Sequence, residues 1–402
     1  MNLDLLFVAL FYGFLILFYF RNKEKFKVQG KIFFLYPTHL GIKLMDKIAK
    51  TFPRTLKVLS YFSIAFGFAG MGYIFFVLIK GTLDMFLVPA APPTVAPVLP
   101  GVKIPGAPTL SFFHWIIAIF IVAAIHEFSH GVFARLYSIK VKSSGFAFLG
   151  PILAAFVDPD EKTLAKASAK EQLSVFSAGP FSNIIMGFLF LIVFTLLTGP
   201  VASSMIEGDG IIVNTIMSGY PAEKVGMQAP FVIKSVNSKE TLDFVNFSSA
   251  VSAISPGDEV VIQTDKGIFK VVTVKNPDNA SKGFMGVSGF EQKIKVKDSF
   301  KNRYGGNVYE VAKWFNLLVI WLFIINLGIG LFNLLPLGPV DGGRMFFVLL
   351  LSVFKDKIKA QKVWKIISLF CLLLIVVNML PWLGKLVMFL IKPFLYLASL
   401  LL

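Results

Sequence analysis

The chain has 402 residues, 56% of them hydrophobic, and a mean hydropathy of +0.74. Soluble domains carry fewer apolar and more charged residues, so these values predict an integral membrane protein in contact with a lipid bilayer. The formal net charge of +16 has the sign that nucleic acid attracts. Many basic residues, however, lie in one short loop beside apolar runs, which is typical of a cytoplasmic face, and we expect no nucleic-acid partner. The single cysteine, Cys371, excludes an intrachain disulfide and a cysteine-based metal site.

The N-terminal region, 1–111, is predicted to hold two transmembrane helices. The first apolar run, 3–20, has no basic residue before it and five in the eleven residues after it, whereas a signal peptide has the opposite arrangement. We therefore expect a retained span with its N-terminus outside, followed by a basic cytoplasmic loop at 21–57. A second span at 58–79 leads into a proline-rich, nearly uncharged loop at 80–109, which we expect outside.

The third apolar run, from Phe112, contains the sequence His-Glu-Phe-Ser-His at 126–130. On a helix His126 and His130 are one turn apart on the same face, so both imidazoles can reach one metal ion. The carboxylate of Glu127 can take a proton from a water at that metal and pass it to a leaving amine. The flanking residues are apolar on every side, which predicts a membrane span. Each ionisable group there costs roughly 2.5–3.5 kcal/mol at the bilayer centre, so we expect a functional site and not a chance match.

The rest of the segment 112–205 is predicted to complete the first half of a catalytic membrane core. Residues 143–157 are apolar but too short to span and are interrupted by Gly and Pro. They predict a re-entrant loop or short hairpin buried in protein. A charged cytoplasmic stretch at 158–171 precedes a fourth span at 173–197, which contains small residues that let helices approach closely.

Residues 206–295 differ in character, because the charge rises and short alternating strands are separated by Gly, Pro and Asp turns. They predict a soluble, β-rich domain, which the count of spans places outside the membrane. The expected elements are strands at 210–214, 232–236, 259–263 and 269–274 and a helix at 242–254.

The segment 296–354 is predicted to be the second half of the core. Its span, 308–335, runs into a stretch broken by two prolines and three glycines, which presents Asp341 from irregular backbone at membrane depth. A catalytic zinc site takes three protein ligands and keeps one position for water. Asp341 is the expected third ligand beside the two histidines, with one Zn²⁺ per chain. By itself, Asp341 would be expected to cap the helix that begins at Gly342.

The C-terminal region, 355–402, begins with a basic cytoplasmic stretch and a sixth span at 366–380. The remaining residues, 383–402, either return as a seventh span or lie along the membrane interface, since Lys385 and Lys392 are compatible with both.

Two motifs together resemble the site-2 protease family of intramembrane zinc metalloproteases: the His-Glu-Phe-Ser-His sequence and Asn-Leu-Leu-Pro-Leu-Gly-Pro-Val-Asp-Gly-Gly-Arg at 333–344. Ala-Gly-Pro-Phe-Ser-Asn at 178–183 is similar to the small-residue motif that the family has between them. Val340 stands where the family usually has Leu. Within the insert, 219–227 and 255–259 resemble a PDZ domain, although Ala229-Pro-Phe replaces the usual Pro-Gly-Asp turn.

The resemblance implies a multi-pass cell-membrane protein: a polytopic α-helical fold of six to seven transmembrane helices with an inserted PDZ-like domain. The implied activity is regulated intramembrane proteolysis, in which a peptide bond inside a substrate's transmembrane segment is hydrolysed, often after a first cut elsewhere. The motif implies that Asn333 holds the substrate strand or the oxyanion and that Asn183 braces the site. The PDZ-like domain is an expected place for a peptide C-terminus or for a substrate's outside domain.

Two other classes of function compete with the protease. Intramembrane His and Asp also occur on ion pathways, so a divalent-metal transporter is one alternative. A transporter would give the glutamate beside the first histidine no role. The other spans also carry too few polar residues to form an ion path. A non-catalytic scaffold that binds membrane partners through the PDZ-like domain is the second alternative, and the full ligand set with Glu127 argues against it.

Overall fold

The structure is a computed structural model that describes residues 3–29, 33–102, 104, 106–149 and 152–399. The chain divides into two compact units, one formed by 1–194 with 317–402 and the other by 195–316. Among the described residues, six helices are long and apolar enough to cross a membrane, and each overlaps one of the six expected spans. A multi-pass α-helical architecture with an additional β-sheet region is thereby confirmed.

The described residues form thirteen α-helices and twelve strands. The helices in chain order are α1 (Leu3–Asn22), α2 (Ile42–Thr51), α3 (Pro53–Leu87), α4 (Phe112–Leu136), α5 (Glu161–Lys166), α6 (Ala169–Val193), α7 (Gly199–Ser204), α8 (Pro221–Lys224), α9 (Phe244–Ser252), α10 (Asp298–Tyr304), α11 (Val308–Phe332), α12 (Asp341–Phe354) and α13 (Lys357–Ser399). The strands are β1 (Lys27–Gln29), β2 (Phe33–Thr38), β3 (Val141–Leu149), β4 (Ile152–Pro159), β5 (Ile206–Ile216), β6 (Phe231–Val236), β7 (Lys239–Glu240), β8 (Glu259–Thr264), β9 (Gly267–Val272), β10 (Val274–Lys275), β11 (Gly283–Phe284) and β12 (Val287–Val296).

Local signals determine where the two central helices begin. The hydroxyl of Ser111 accepts a hydrogen bond from the backbone of His114 at the start of α4. A capping box starts α6, because Ser168 accepts from the backbone of Glu171 and the Glu171 carboxylate accepts from the backbone of Ser168. Both arrangements satisfy amide groups that a helix N-terminus leaves without partners.

The first unit contains a four-stranded antiparallel sheet in the order β1-β2-β3-β4. The β3–β4 pair confirms the hairpin alternative for 143–157. The first two strands belong to the basic segment 21–57, which sequence reasoning treated as a loop. This segment nevertheless contains regular structure, because β2 is stabilised by pairing with β3, where Tyr36 lies opposite Phe146. This pairing joins residues far apart in the chain, so no local sequence pattern predicts it.

The core of the first unit packs α2, α3, α4, α6 and α12 together around buried side chains that include Met45, Phe133 and Met345. Buried hydroxyl groups also join three of these helices. The Oγ atoms of Ser63 on α3 and Ser177 on α6 are 2.8 Å apart. The hydroxyl of Tyr137, just after α4, donates to the Oγ of Ser60 at 3.1 Å. The positions of α4 and α6 relative to α3 are therefore set by polar contacts as well as by packing.

The C-terminal helix differs from its prediction. A sixth span ending at 380 and a separate segment at 383–402 were expected, but α13 continues through Pro381 to Ser399. Two side chains near this proline bind the segment 94–95. The amide oxygen of Asn378 accepts a hydrogen bond from the backbone N–H of Thr94, and the indole N–H of Trp382 donates to the carbonyl of Val95. Over the described residues, 383–399 therefore continues α13 and does not turn back as a seventh span, and the candidate span within this helix ends at Lys385. Residues 400–402 lie outside the described residues.

The second unit contains an antiparallel sheet in the order β12-β5-β6-β8-β9, with β7 paired to β6. Ile211, Ile233 and Val260 are fully buried in its core, and Phe247 of α9 packs against them. The four expected strands and the expected helix are present. Sequence reasoning missed β12, whose side chains are mostly exposed or half-buried and show no alternation of apolar residues. It pairs with β5, which lies far from it in the sequence.

Candidate metal site

The two histidines lie on α4 beside a cavity of about 700 Å³. Each is 7% exposed. The cavity is also lined by Glu127, Asn333 and Asp341, and by residues of β4 and α6. Five of the six residues predicted for the site therefore line one cavity, although they come from two distant parts of the chain.

Three possible ligand atoms meet at this cavity. The Oδ2 atom of Asp341 lies 3.0 Å from the Nε2 of His126 and 3.2 Å from the Nε2 of His130. The two Nε2 atoms are 3.1 Å apart. A tetrahedral zinc ion with bonds of roughly 2.0–2.1 Å separates neighbouring ligand atoms by about 3.3 Å. The three side chains therefore fit a zinc ion, and they are the one group of His, Cys, Asp and Glu with metal-site spacing in the described part of the chain.

Asp341 is positioned by the turn that precedes it. It is the first residue of α12, whose N-cap is Val340, and it comes directly after the irregular segment 333–340. No side-chain hydrogen bond caps this helix, so the alternative role of Asp341 as an N-cap is not seen. The backbone N–H of Gly342 donates to the carbonyl of Asn333 at 2.7 Å. A Cβ atom on Gly342 would collide with the backbone of Leu334, so this close turn requires glycine there.

The far nitrogen of each imidazole also has a partner. The Nδ1 of His130 donates to the backbone carbonyl of Val175 at 2.6 Å. The Nδ1 of His126 lies 3.1 Å from the side-chain amide of Asn183, which is fully buried. The Asn183 Oδ1 has no hydrogen-bond partner. The two orientations of an asparagine amide, which differ by exchange of N and O, have almost the same shape. In the other orientation the Nδ1–H of His126 donates to the Asn183 oxygen. Both histidines then present an unprotonated Nε2 toward the ligand cluster.

Glu127 is held by the sheet. Its Oε2 atom accepts a hydrogen bond from the backbone N–H of Val157, at a distance of 3.0 Å. Val157 lies on β4, which pairs with β3 and with no other described strand. The carboxylate next to the ligand cluster is therefore fixed at a sheet edge that borders the cavity.

An ion pair closes the open end of the β3–β4 hairpin. The Nζ of Lys142 lies 2.9 Å from the carboxylate of Asp160, which also accepts from the hydroxyl of Thr163. The hydrogen bond from Lys142, and after it the one from Thr163, lower the pKa of Asp160 to about 2. The hairpin is thus tied to the start of α5 at neutral pH.

Sequence reasoning missed two groups at the site. The carbonyl of Val175 and the N–H of Val157 are backbone atoms, which every residue type carries, so no residue pattern marks them. Asn183 was expected as a supporting residue on motif grounds, and the structure places its amide against His126. Asn333 lines the cavity at the C-terminal end of α11, close to the ligand cluster.

The sequence of residues 114–378 matches the Peptidase family M50. That is more than half of the chain, and the protein therefore belongs to this family. The resemblance to site-2 proteases is thereby confirmed, and with it the predictions of a zinc metalloprotease and of a zinc cofactor, for which His126, His130 and Asp341 could form the metal site.

Two relatives illustrate the range of similarity. An uncharacterized protein of Methanocaldococcus jannaschii is 30% identical over 369 residues, which cover 89% of this chain and 88% of the relative. The zinc metalloprotease RasP of Shouchella clausii is 26% identical over 229 residues, which cover 46% of this chain and 51% of the relative. Similarity to the archaeal protein therefore extends over almost the whole chain.

Proposed function

We propose that the protein hydrolyses peptide bonds within the transmembrane segments of membrane-protein substrates. The observation that carries this proposal is the cluster of His126, His130 and Asp341 beside Glu127, on a helix whose flanks are apolar enough to cross a membrane. A soluble peptidase would have no need to build its site on such a helix. Regulated intramembrane proteolysis, often after a first cut elsewhere, is the biological form of this activity that we propose.

The residues of the cluster have distinct roles in this proposal. His126, His130 and Asp341 hold the zinc ion, and Glu127 takes the proton of the attacking water and passes it to the leaving amine. When bound, zinc supplies Lewis acidity and lowers the pKa of a coordinated water to about 7. Asn333 orients the substrate strand or donates to the oxyanion, and its place in the same cavity supports that role.

The edge of β4 suggests how the substrate is presented. A transmembrane helix hides its carbonyls in its own hydrogen bonds, so it must unwind locally before cleavage. Since β4 has a partner only on its β3 side among the described strands, an unwound peptide can add to its other edge. The backbone of Val157 already contacts Glu127 on this strand. Strand addition would therefore bring a substrate peptide bond close to the general base.

We also propose an orientation in the membrane. The N-terminus and the domain at 206–295 lie outside, and the basic loop at 21–57 lies in the cytoplasm. The excess of Lys and Arg in that loop supports this topology, because short cytoplasmic loops are rich in these residues.

For the inserted domain we propose a PDZ-like role as a substrate filter. The second unit, which contains this domain, has a cleft of about 370 Å³ between α9 and the segment 282–290. Within the described residues β12 pairs only with β5, which leaves one edge of β12 available beside this cleft. A peptide C-terminus, or a segment of a substrate's outside domain, would bind there by strand addition.

The deciding experiment combines zinc analysis of purified protein with cleavage of a model transmembrane substrate. The wild type should contain one zinc per chain and cut the substrate inside its apolar segment, whereas Glu127→Gln should keep zinc and lose turnover. A transporter or a scaffold predicts no cleavage by the wild type. Cleavage confined to soluble peptides would contradict the intramembrane assignment.

A further inference from the structure

One face of α6 lies against the two histidines of α4. Val175, Gly179 and Asn183 are spaced four residues apart, as are His126 and His130, so each set occupies one face of its helix. The first residue of the α6 set binds His130 and the last binds His126, both at Nδ1. Gly179 lies between these two contacts and is itself buried.

Gly179 lies beside the Nε2 side of the two imidazole rings, opposite the Nδ1 atoms that are hydrogen-bonded to α6. A Cβ atom built on it would lie 2.6 Å from the Nε2 of His126 and would collide with the Nε2 of His130. Non-bonded carbon atoms prefer separations of about 3.5–4.0 Å, so a methyl group does not fit there. The rings have little freedom to withdraw, because the Nδ1 of each is hydrogen-bonded to α6.

The ordinary role of glycine in such a motif is to let two helix backbones approach closely. Gly187, two turns further along α6, has that environment: the nearest atom to its Cβ position is the backbone nitrogen of Leu327, at 3.4 Å. The three atoms nearest to the Cβ position of Gly179 all belong to His126 and His130. The space beside Gly179 is therefore bordered by the proposed ligand atoms and not by a neighbouring backbone.

We propose that Gly179 is a positioning residue whose missing side chain keeps the two Nε2 atoms accessible to the metal. The inference rests on the proposed function of the histidines as zinc ligands. In this arrangement α6 holds the imidazoles by Nδ1 on either side and leaves the space at Nε2 open between them. Any larger residue at 179 displaces one or both rings and breaks the ligand geometry.

The test compares Gly179→Ala with Gly187→Ala, which makes the same change on the same helix away from the histidines. Zinc is measured per folded monomer, in purified protein after dialysis against a weak chelator. We expect Gly179→Ala to retain less than a tenth of the wild-type zinc and Gly187→Ala to stay within twofold of it. Equal zinc in wild type and Gly179→Ala overturns the inference while leaving the proposed function intact. A wild type without zinc contradicts the proposed function itself.

A second comparison separates a collision with the rings from a general packing defect. The thermal midpoint of metal-free protein is measured for Gly179→Ala in two backgrounds, wild type and His126→Ala/His130→Ala. The added methyl group meets the imidazoles only in the first background. We therefore expect Gly179→Ala to lower the midpoint of the wild type. In the background without the two imidazoles we expect the same substitution to shift the midpoint by no more than about 1–2 °C, the size of ordinary surface effects. An equal fall in both backgrounds would show that the rings are not the obstacle, and the inference would be wrong.

Discussion

Replacement of Glu127 by glutamine isolates the proton transfer. Glutamine has nearly the same volume and keeps a side-chain oxygen, so it can still accept the hydrogen bond from Val157, but it cannot take a proton. The fold, the ligand cluster and the contact with β4 should therefore persist. Loss of a general base typically costs ~10²–10⁴-fold in rate, which corresponds to about 2.7–5.4 kcal/mol of transition-state stabilisation.

The assay is the cleavage rate of a transmembrane substrate at matched zinc occupancy, in detergent or in vesicles. Glu161→Gln is the matched control, because Glu161 lines the same cavity but is exposed and belongs to α5. We expect the control to cut at close to the wild-type rate. If Glu127→Gln also cuts within threefold of wild type, the assigned mechanism is wrong even though the chain is a protease. Loss of zinc from Glu127→Gln would instead indicate a structural role.

Three further predictions address the metal, the topology and the inserted domain. The double variant His126→Ala/Asp341→Ala should lose zinc, because two of three ligands are removed; near-stoichiometric zinc by metal analysis would refute the ligand assignment. With the native cysteine replaced by alanine, an impermeant thiol reagent applied to intact cells should label Lys239→Cys but not Lys43→Cys, and the reverse pattern would invert the proposed topology. Deletion of 206–295 with a short linker should preserve cleavage of a substrate that lacks a large outside domain; complete loss of activity in a folded, zinc-loaded deletion would rule out the filter role.

The part of the site that is local in sequence could be predicted from it. Two histidines four residues apart on an apolar helix predict a ligand pair without knowledge of the fold, because helix geometry alone places them on one face. Asp341 could be predicted only by chemistry, as a carboxylate in an apolar segment that is broken by Pro and Gly. Its distance of 3.0 Å from His126 joins residues 215 positions apart, and no local pattern carries that contact.

The fold shows the same limit. Long apolar runs predict the transmembrane helices, since each satisfies its own backbone hydrogen bonds. Strand β2 is different, because its partner β3 is more than a hundred residues away and its register depends on that partner. The end of the sixth span was misplaced for a related reason. The span was expected to end at 380, whereas the helix continues unbroken through Pro381, and the side chains of Asn378 and Trp382 contact the segment 94–95.

The contacts around the site show why α4 alone does not make a metal centre. Its two histidines become a geometric unit only because α6 hydrogen-bonds both Nδ1 atoms and because the turn at 333–340 brings Asp341 to both Nε2 atoms. Glu127 in turn depends on the edge of β4. Each element contributes a different restraint: the orientation of the rings, the proposed third ligand, and the position of the proposed base. A substitution in any of the three is therefore expected to impair the site in a distinguishable way, through metal affinity for α6 and Asp341 and through turnover at full metal occupancy for β4.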